Sequence, residues 1–148
     1  MKYTFFGHAC FRIDTGNEKL LFDPFLTGNS EATIASDKVK CDYILLSHAH
    51  GDHFGDAVTI AQRTGAKVIA IPEVLGLFPK TVVNEQPMNL GGQYHADFGT
   101  VKMVVALHSA GVAGGVPCGF VIQFKAGPTV YYSGDTALFS DMKLFGEL

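Results

Sequence analysis

The sequence is poor in the features that mark several protein classes. It contains no tryptophan, three cysteines and 17% charged residues in a chain of 148. Its apolar runs, such as "MVVAL" and "YILL", are far shorter than the ~20 residues of a membrane-spanning helix. The odd number of cysteines (Cys10, Cys41 and Cys118) argues against a disulfide framework and for buried, reduced thiols. We therefore expect neither a membrane segment nor a disulfide.

Charge and composition narrow the class further. The formal net charge of -3 weighs against nucleic acid as a partner, because nucleic-acid-binding domains usually present a basic face. Hydrophobic residues make up 47% of the chain, which is typical of a compact globular protein. The first segment, "MKYTFFGHACFRI", alternates like a strand and lacks the long apolar stretch and cleavage site of a secretory signal. We predict a cytoplasmic protein with a single domain over residues 1–148.

Short apolar segments separated by turn residues predict an α/β fold. Residues 3–6 and 10–13 alternate as strands, and "LLFDPFL" follows the turn-forming "DTGNEK". Four later segments have the same character: "GGQYHADFG", "VKMVVALHS", "CGFVIQF" and "TVYYSGD". The first and last parts of the chain are therefore predicted to consist mainly of strands.

The middle of the chain predicts a βαβ unit. The continuous apolar run 43–47 is typical of a strand covered on both faces, and "KVIAI" at 67–71 is a second one. Residues 56–64 between them predict a helix, with Asp56 as its N-cap and Gly65 just past its end. In such units, binding sites form outside the carboxyl ends of the strands.

Half of the six histidines crowd one segment, "LLSHAHGDHFGD", directly after the first of these strands. The candidate metal ligands there are His48, His50, Asp52 and His53. Histidines two residues apart on a loop can point at one cation, and the aspartate and histidine that follow can point at a second. Imidazole and carboxylate suit zinc, manganese or iron. A metal would also offset the cost of clustering such groups at a buried strand end.

The segment "SHAHGDH" matches the H-x-H-x-D-H signature of the metallo-β-lactamase superfamily. The chain resembles the small, lactonase-like metal-dependent hydrolases of that superfamily along its whole length. Further segments that carry the resemblance are "FFGHACFRI", "DPFLTGN", "MNLGG", "ALHSAG" and "YYSGDT". It implies an αββα sandwich, here mainly its N-terminal half, with one or two metal ions at the upper edge of the sheets.

The resemblance also implies a set of metal ligands. His48, His50 and His108 would bind the first ion. Asp52 and His53 would bind the second, and Asp135 would bridge the two. The last two positions in chain order each follow an apolar strand, where a scaffold can hold a side chain rigidly. Nitrogen and oxygen ligands alone leave both zinc and manganese open.

The implied activity is hydrolysis of an ester, lactone, amide or phosphodiester bond in a small-molecule substrate. Two cations would bring the pKa of a water molecule close to neutrality, so that hydroxide becomes the nucleophile. Asp52 would orient this hydroxide and carry its proton. His8 is expected either to touch the substrate or a metal ligand, or to be a plain turn residue. Asp23 is expected either to support the ligand loop by hydrogen bonds or to form an Asx-type turn.

The resemblance is incomplete toward the end of the chain. Family members continue beyond "GDT" and supply a further histidine to the second metal, whereas this sequence has no histidine after His108. We therefore expect a domain that lacks its C-terminal part and binds one or two metal ions. Leu138, Met142 and Phe145 are spaced as one apolar face of a last helix.

Two other functions stay open on the sequence alone. A non-catalytic, metal-binding half-fold would complete its core against another chain, for example in a homo-oligomer, through the face of that last helix. A di-iron redox centre would use the same ligands, although the sequence shows no flavin-type phosphate loop. A nuclease is disfavoured by the acidic balance of charge.

Overall fold

The computed structural model describes residues 1–82 and 84–148, which form two β-sheets. Sheet A has the strand order β1-β2-β3-β4-β5-β6, and sheet B has the order β10-β9-β8-β7. The strands of sheet A are β1 (Lys2–Gly7), β2 (Cys10–Asp14), β3 (Lys19–Phe22), β4 (Tyr43–Leu45), β5 (Lys67–Ala70) and β6 (Glu85–Pro87). The strands of sheet B are β7 (Gln93–His95), β8 (Gly99–Val105), β9 (Cys118–Phe124) and β10 (Thr129–Tyr132). The helices are α1 (Gly51–Phe54), α2 (Ala57–Thr64), α3 (Pro72–Leu75) and α4 (Met142–Phe145).

The parallel half of sheet A brings the ends of its strands to one edge. β3 pairs in parallel with β4, and β4 with β5, so that Phe22 lies beside Leu45 and Leu45 beside Ile69. Helix α2 lies in the crossover from β4 to β5, which confirms the predicted βαβ unit. The residues that follow Phe22 and Leu45 therefore emerge at the same edge, and these include Asp23 and His48.

The two sheets pack face to face around a core with aromatic side chains from both. Tyr132 of β10 packs edge-on against Phe11 and Phe22, with ring centroids 5.2 and 5.4 Å apart. Tyr43 of β4 packs edge-on against Phe98, which precedes β8, at 4.9 Å. Such pairs add to the stabilisation that comes from burying their surface. At the edge of the core, the hydroxyl of Tyr132 donates to the carboxylate of Asp23.

The outer faces of the two sheets are covered to different extents. In β5 the residues from Val68 to Ala70 are all buried, and the neighbouring helix α3 contacts both β5 and β6. In β8 and β10 buried or half-buried residues alternate with more exposed ones, so one face of sheet B is partly open to solvent. Helix α4 reaches this sheet through Phe145, whose ring centroid lies 5.5 Å from that of Tyr131. The layers agree with the expected αββα sandwich. Across residues 1–82 and 84–148, no helix is both long and apolar enough to cross a membrane.

Helix α2 begins and ends where the sequence predicted, but the side chain at its N-cap position does not cap it. Ala57, Ile60 and Ala61 form its buried side, and Gly65 ends it in the left-handed conformation with φ of 70°. Asp56 precedes the helix, but its carboxylate makes no capping hydrogen bond. The carboxylate instead accepts hydrogen bonds from Thr27, so the N-cap prediction was wrong in its chemistry.

The predicted last helix is shorter than its sequence pattern. Only Met142–Phe145 forms a helical turn, and Leu138 lies outside it with 90% of its surface exposed. The apolar face predicted from Leu138, Met142 and Phe145 is therefore wrong at its first member. Phe145 packs instead beside Phe139 and Tyr131. These two aromatic neighbours, rather than a long amphipathic helix, position α4.

The cysteines lead to a testable expectation. Cys10, Cys41 and Cys118 are free and buried, and burial raises the pKa of Cys41 to about 11. Since the thiolate is the reactive form, we expect the native protein to react slowly with a thiol reagent such as dithionitrobenzoate. After unfolding in denaturant, all three should react. Fast labelling of any cysteine in the native protein would contradict this packing.

Candidate metal centre

All six predicted metal ligands lie at the edge where the strands of both sheets end. His48 follows β4, and His50, Asp52 and His53 lie in or next to α1. His108 follows β8, and Asp135 follows β10. The ligand segment is not simply a loop, since residues Gly51–Phe54 form the helical turn α1, which the sequence analysis did not predict. This turn directs Asp52 and His53 away from His50 and toward a second position.

The first group of donors consists of three histidines. One ring nitrogen from each of His48, His50 and His108 lies within 4.8 Å of the others. His48 Nε2 and His50 Nδ1 are 3.0 Å apart, and the rings of both lie 5.1 Å from that of His108. Imidazoles from two different sheets therefore converge on one point.

The second group consists of His8, Asp52 and His53, whose donor atoms also lie within 4.8 Å of one another. Asp135 lies between the two groups. Its Oδ1 is 3.4 Å from His53 Nε2, and its Oδ2 is 3.6 Å from His108 Nε2. One carboxylate thus faces a histidine of each group through different oxygen atoms.

Asp23 is the centre of a buried hydrogen-bond network beneath these ligands. Its Oδ1 accepts from the backbone N–H of Ser47 at 2.8 Å. Its Oδ2 accepts from Ser47 Oγ at 2.5 Å, His53 Nδ1 at 2.8 Å and Tyr132 OH at 2.5 Å. The side chain is fully buried and the backbone φ is 36°, an uncommon value for a residue other than glycine. Of the two roles considered for Asp23, these side-chain contacts correspond to support of the ligand loop.

The network determines which ring nitrogens face the donor groups. Ser47 Oγ gives its proton to Asp23, so at 2.9 Å from His48 Nδ1 it accepts the proton on that nitrogen. His53 likewise donates from Nδ1 to Asp23. The Nε2 atoms therefore point the other way, that of His48 toward His50 and that of His53 toward Asp135. Such outer hydrogen bonds orient metal-binding histidines in known metal sites.

Tyr132 is a site residue that the sequence analysis missed. It belongs to sheet B, yet its hydroxyl reaches Asp23 at the end of β3 in sheet A. Burial, together with the nearby charge of Asp23, raises the pKa of this phenol far above its usual range, so it stays a hydrogen-bond donor. The sequence carried only a weak signal for it, a tyrosine on a predicted strand shortly before Asp135.

Ser109 holds His50 from the opposite side. Its Oγ lies 3.2 Å from His50 Nε2, the ring nitrogen that points away from His48. The backbone continues the contact, because Ala49 N–H donates to the carbonyl of Ala110 at 2.8 Å. At Gly111, with φ of 70°, an added Cβ would lie 2.7 Å from His50. The segment after His108 is therefore packed directly against the ligand segment.

A similar close contact holds the other end of α1. Gly55 has φ of 38°, and a Cβ there would come within 2.6 Å of the Pro24 carbonyl oxygen and of Phe25. Asp56 N–H donates to the same Pro24 carbonyl at 2.8 Å. The α1 turn thus lies against the segment that carries Asp23, and only glycine fits at the point of closest approach.

The electrostatic environment differs among the histidines. Burial lowers the pKa of His48 to about 4, helped by the nearby His53. Burial would also lower the pKa of His53, but its hydrogen bond to Asp23 and the charges of Asp23 and Asp135 outweigh it and raise the pKa. A neutral imidazole is the form that binds a metal. A cation at His53 would therefore replace a proton on Nε2.

The donor set fits divalent cations. Among the described residues, His53 Nε2 is buried and has no hydrogen-bond partner, which is costly unless something else satisfies it. Around a tetrahedral ion at ~2.0–2.2 Å, neighbouring donor atoms lie about 3.3–3.6 Å apart. The separations of 3.4 Å and 3.6 Å from Asp135 to the two histidines lie in that range. The donors are nitrogen and oxygen atoms, which suit zinc or manganese.

Comparison with known proteins gives the same family. A sequence model described as the beta-lactamase superfamily domain matches residues 13–148. A "UPF0173 metal-dependent hydrolase" of Carboxydothermus hydrogenoformans is 47% identical over 100% of this chain and 68% of its own length. A protein of the same description from Natranaerobius thermophilus is 46% identical over 100% of this chain and 66% of its own length. This chain belongs to the beta-lactamase superfamily. It spans about two thirds of the length of these relatives.

Solved structures share the fold. Igni18, described as a metallo hydrolase from the archaeon Ignicoccus hospitalis, superposes with a TM-score of 0.87 at 32% identity, covering 99% of this chain and 65% of that one. CmlA, a diiron beta-hydroxylase from Streptomyces venezuelae, has a TM-score of 0.69 at 17% identity, covering 89% of this chain and 29% of that one. The second likeness shows the fold alone. The expected metallo-β-lactamase fold is therefore confirmed.

Proposed function

We propose that residues 1–148 form a single domain that holds the metal ions of a metal-dependent hydrolase. The observation that carries the proposal is the position of Asp135, with one carboxylate oxygen 3.4 Å from His53 and the other 3.6 Å from His108. It joins two groups of donors, each suited to a cation. The metal-dependent hydrolases among the relatives support the same activity.

The residues divide the work as follows. His48, His50 and His108 would hold the first ion, Asp52 and His53 would hold the second, and the Asp135 carboxylate would serve both groups of donors. Bound divalent ions supply Lewis acidity, which lowers the pKa of a water molecule and polarises the bond under attack. Asp23 contacts Nδ1 of His53 and Ser109 contacts Nε2 of His50, so the other ring nitrogen of each histidine faces the donor groups.

Asp52 is the proposed catalytic residue of the chain. Half of its side chain is exposed, so one carboxylate oxygen can meet water and substrate. Burial would raise its pKa, but a hydrogen bond from its own backbone N–H and the charges of His53 and His8 lower it. Asp52 is therefore ionised near neutral pH and can accept a hydrogen bond from the attacking water and carry its proton.

The bond cleaved is proposed to be an ester, lactone, amide or phosphodiester of a small molecule. The ions are proposed to be zinc or manganese, because the donors are imidazole nitrogens and carboxylate oxygens. A cytoplasmic location is supported by the three free, buried thiols.

Removal and restoration of metal test the proposal. The protein is stripped with a chelator, dialysed, and reloaded separately with zinc and with manganese. It is then assayed against a panel of chromogenic esters, lactones, amides and phosphodiesters. We expect no turnover after stripping and recovery with at least one of the two metals. Turnover that survives complete stripping would contradict the proposal. So would a reloaded protein that cleaves none of the four bond types, either as the 148-residue chain or extended to the length of its relatives.

A second function is favoured by one observation, the exposed apolar side chains near α4. Leu138, Leu144 and Leu148 are 90%, 47% and 37% exposed. Such a patch is suited to contact with another chain, as in a metal-binding half-fold that completes its core in a homo-oligomer or a heteromeric complex. Sedimentation analysis separates the two functions. A dilute monomer that melts cooperatively and hydrolyses substrate excludes this second function.

A further inference from the structure

The second donor group needs one more donor to surround a four-coordinate ion. Asp52, His53 and a shared oxygen of Asp135 supply three donors, whereas a zinc ion in a protein usually has four ligands. Among the described residues, the imidazole of His8, near the other end of the chain, also reaches this group.

His8 occupies the turn between β1 and β2 and faces the second group. Its Nε2 lies 3.2 Å from Asp52 Oδ2, and its ring centroid lies 5.4 Å from that of His53. The ring also packs edge-on against Phe25 at 5.9 Å. Its side chain is 45% exposed, so one side of the ring is open to solvent while the other faces Asp52 and His53.

The backbone keeps His8 in this position. His8 has φ of 53°, one of two such values outside glycine among the described residues. Such a conformation is unfavourable for an ordinary residue and persists where the surroundings enforce it. Gly7 before it enforces the turn, because a Cβ there would lie 2.7 Å from the Glu31 carbonyl oxygen. The turn therefore lies against the segment around Glu31, and the imidazole projects toward α1.

We propose that His8 is a ligand of the second metal ion in this chain, together with Asp52, His53 and Asp135. The inference rests on the proposed function only for the presence of metal. The donors of His8, Asp52 and His53 all lie within 4.8 Å of one another. The 3.2 Å between His8 and Asp52 is close to the spacing of about 3.3 Å between neighbouring donors on one small cation. The buried Nε2 of His53 has no hydrogen-bond partner among the described residues and faces the same group, which independently fits a cation there.

A hydrogen bond from His8 to Asp52 without ligation is the competing explanation, and two variants separate the two. His8→Gly removes the imidazole without backbone strain, since glycine adopts a positive φ freely. His8→Gln keeps an amide donor within reach of Asp52 but removes the imidazole. His95→Ala is the matched control, because His95 is an exposed histidine on β7 whose Nδ1 lies 3.1 Å from Thr100 Oγ1.

The experiment is metal titration of the stripped 148-residue chain with zinc, followed by elemental analysis, and with cobalt, followed by visible absorption. We expect about two equivalents in the unmodified chain and in His95→Ala, and about one in His8→Gly and in His8→Gln. Added imidazole should restore the second equivalent in His8→Gly, with the cobalt spectrum of the unmodified chain. The affinity of the two His8 variants for the first equivalent should differ from that of the unmodified chain by less than about threefold.

Several results would overturn the assignment. These are a single equivalent in the unmodified chain, two equivalents of unchanged affinity in His8→Gln, or loss of both ions in His8→Gly without rescue by imidazole. The proposed function fails separately. Suppose that the unmodified chain binds two ions through His8 but hydrolyses no substrate, even when extended to the length of its relatives. The ligand assignment would then hold, and the proposed hydrolase activity would be contradicted.

Discussion

Replacement of Asp23 by alanine is expected to cost about 3–5 kcal/mol of folding free energy, the range for removing one partner from a buried charged pair. Asp23 is fully buried, and its two oxygens accept four hydrogen bonds, from Ser47, His53 and Tyr132. Alanine would leave all of these donors buried without acceptors. It would also be strained at the φ of 36° that Asp23 adopts. The measurement is urea unfolding followed by tyrosine fluorescence or circular dichroism.

Two matched variants make this expectation specific. Asp23→Asn retains one acceptor oxygen and the shape of the side chain, so its loss should be smaller than that of the alanine variant. Asp37→Ala removes an exposed aspartate whose carboxylate lies 3.1 Å from Lys38 Nζ, and it should change stability by less than about 0.5 kcal/mol. An Asp23→Ala protein within about 1 kcal/mol of the unmodified chain would show that the network does not stabilise the fold.

Replacement of His108 by alanine is expected to remove the first metal ion and lower hydrolysis by at least ~10³-fold, at or above the loss seen when one transition-state donor is removed from an enzyme. Only His48 and His50 would then remain in the first group. His108 is better suited to this test than the fully buried His48, because 36% of its side chain is exposed and its removal opens no large cavity. Metal content and turnover are measured on the same preparation.

The control for this experiment is His95→Ala, which should keep both metal and activity. His48→Ala should lose the same ion as His108→Ala, at a greater cost in stability. If the His108→Ala variant kept both its metal content and its rate of hydrolysis, the first group would not be the catalytic metal site. A variant that lost the rate but kept the metal would show instead that His108 acts on the substrate.

Local patterns were enough to predict most of the fold. The run at Tyr43 to Ser47 has few explanations other than a buried strand, and Gly65 ended α2 as predicted. Helix α3 was missed, although Pro72 at its first position is a common start signal. Helix α1 was missed because four residues that include a glycine and no side-chain cap have almost no intrinsic helical preference. Its conformation comes from contacts with the Pro24 and Phe25 segment.

Contacts between distant parts of the chain could not be predicted. Tyr132 and Asp23 are 109 positions apart, and no local pattern links them. The same holds for Asp56, whose spacing fits an N-cap but whose carboxylate bonds to Leu26 and Thr27. Propensity describes what a residue can do next to its neighbours, whereas here a tertiary partner wins. At Leu138 the apolar spacing was real, but no layer of the described structure lies near enough to bury it.

The donors of the site come from both sheets, and this has a consequence for the mechanics of the molecule. His48 to His53 leave sheet A, while His108 and Asp135 leave sheet B, separated by more than fifty residues of chain. An ion held among them would be a cross-link, closing long loops as a disulfide does in a secreted protein. In a chain whose cysteines are unpaired, metal would then act as a clasp between the two halves of the sandwich. The concentration of free metal would then set the stability of the folded chain, and with it the rate at which proteases cleave the chain.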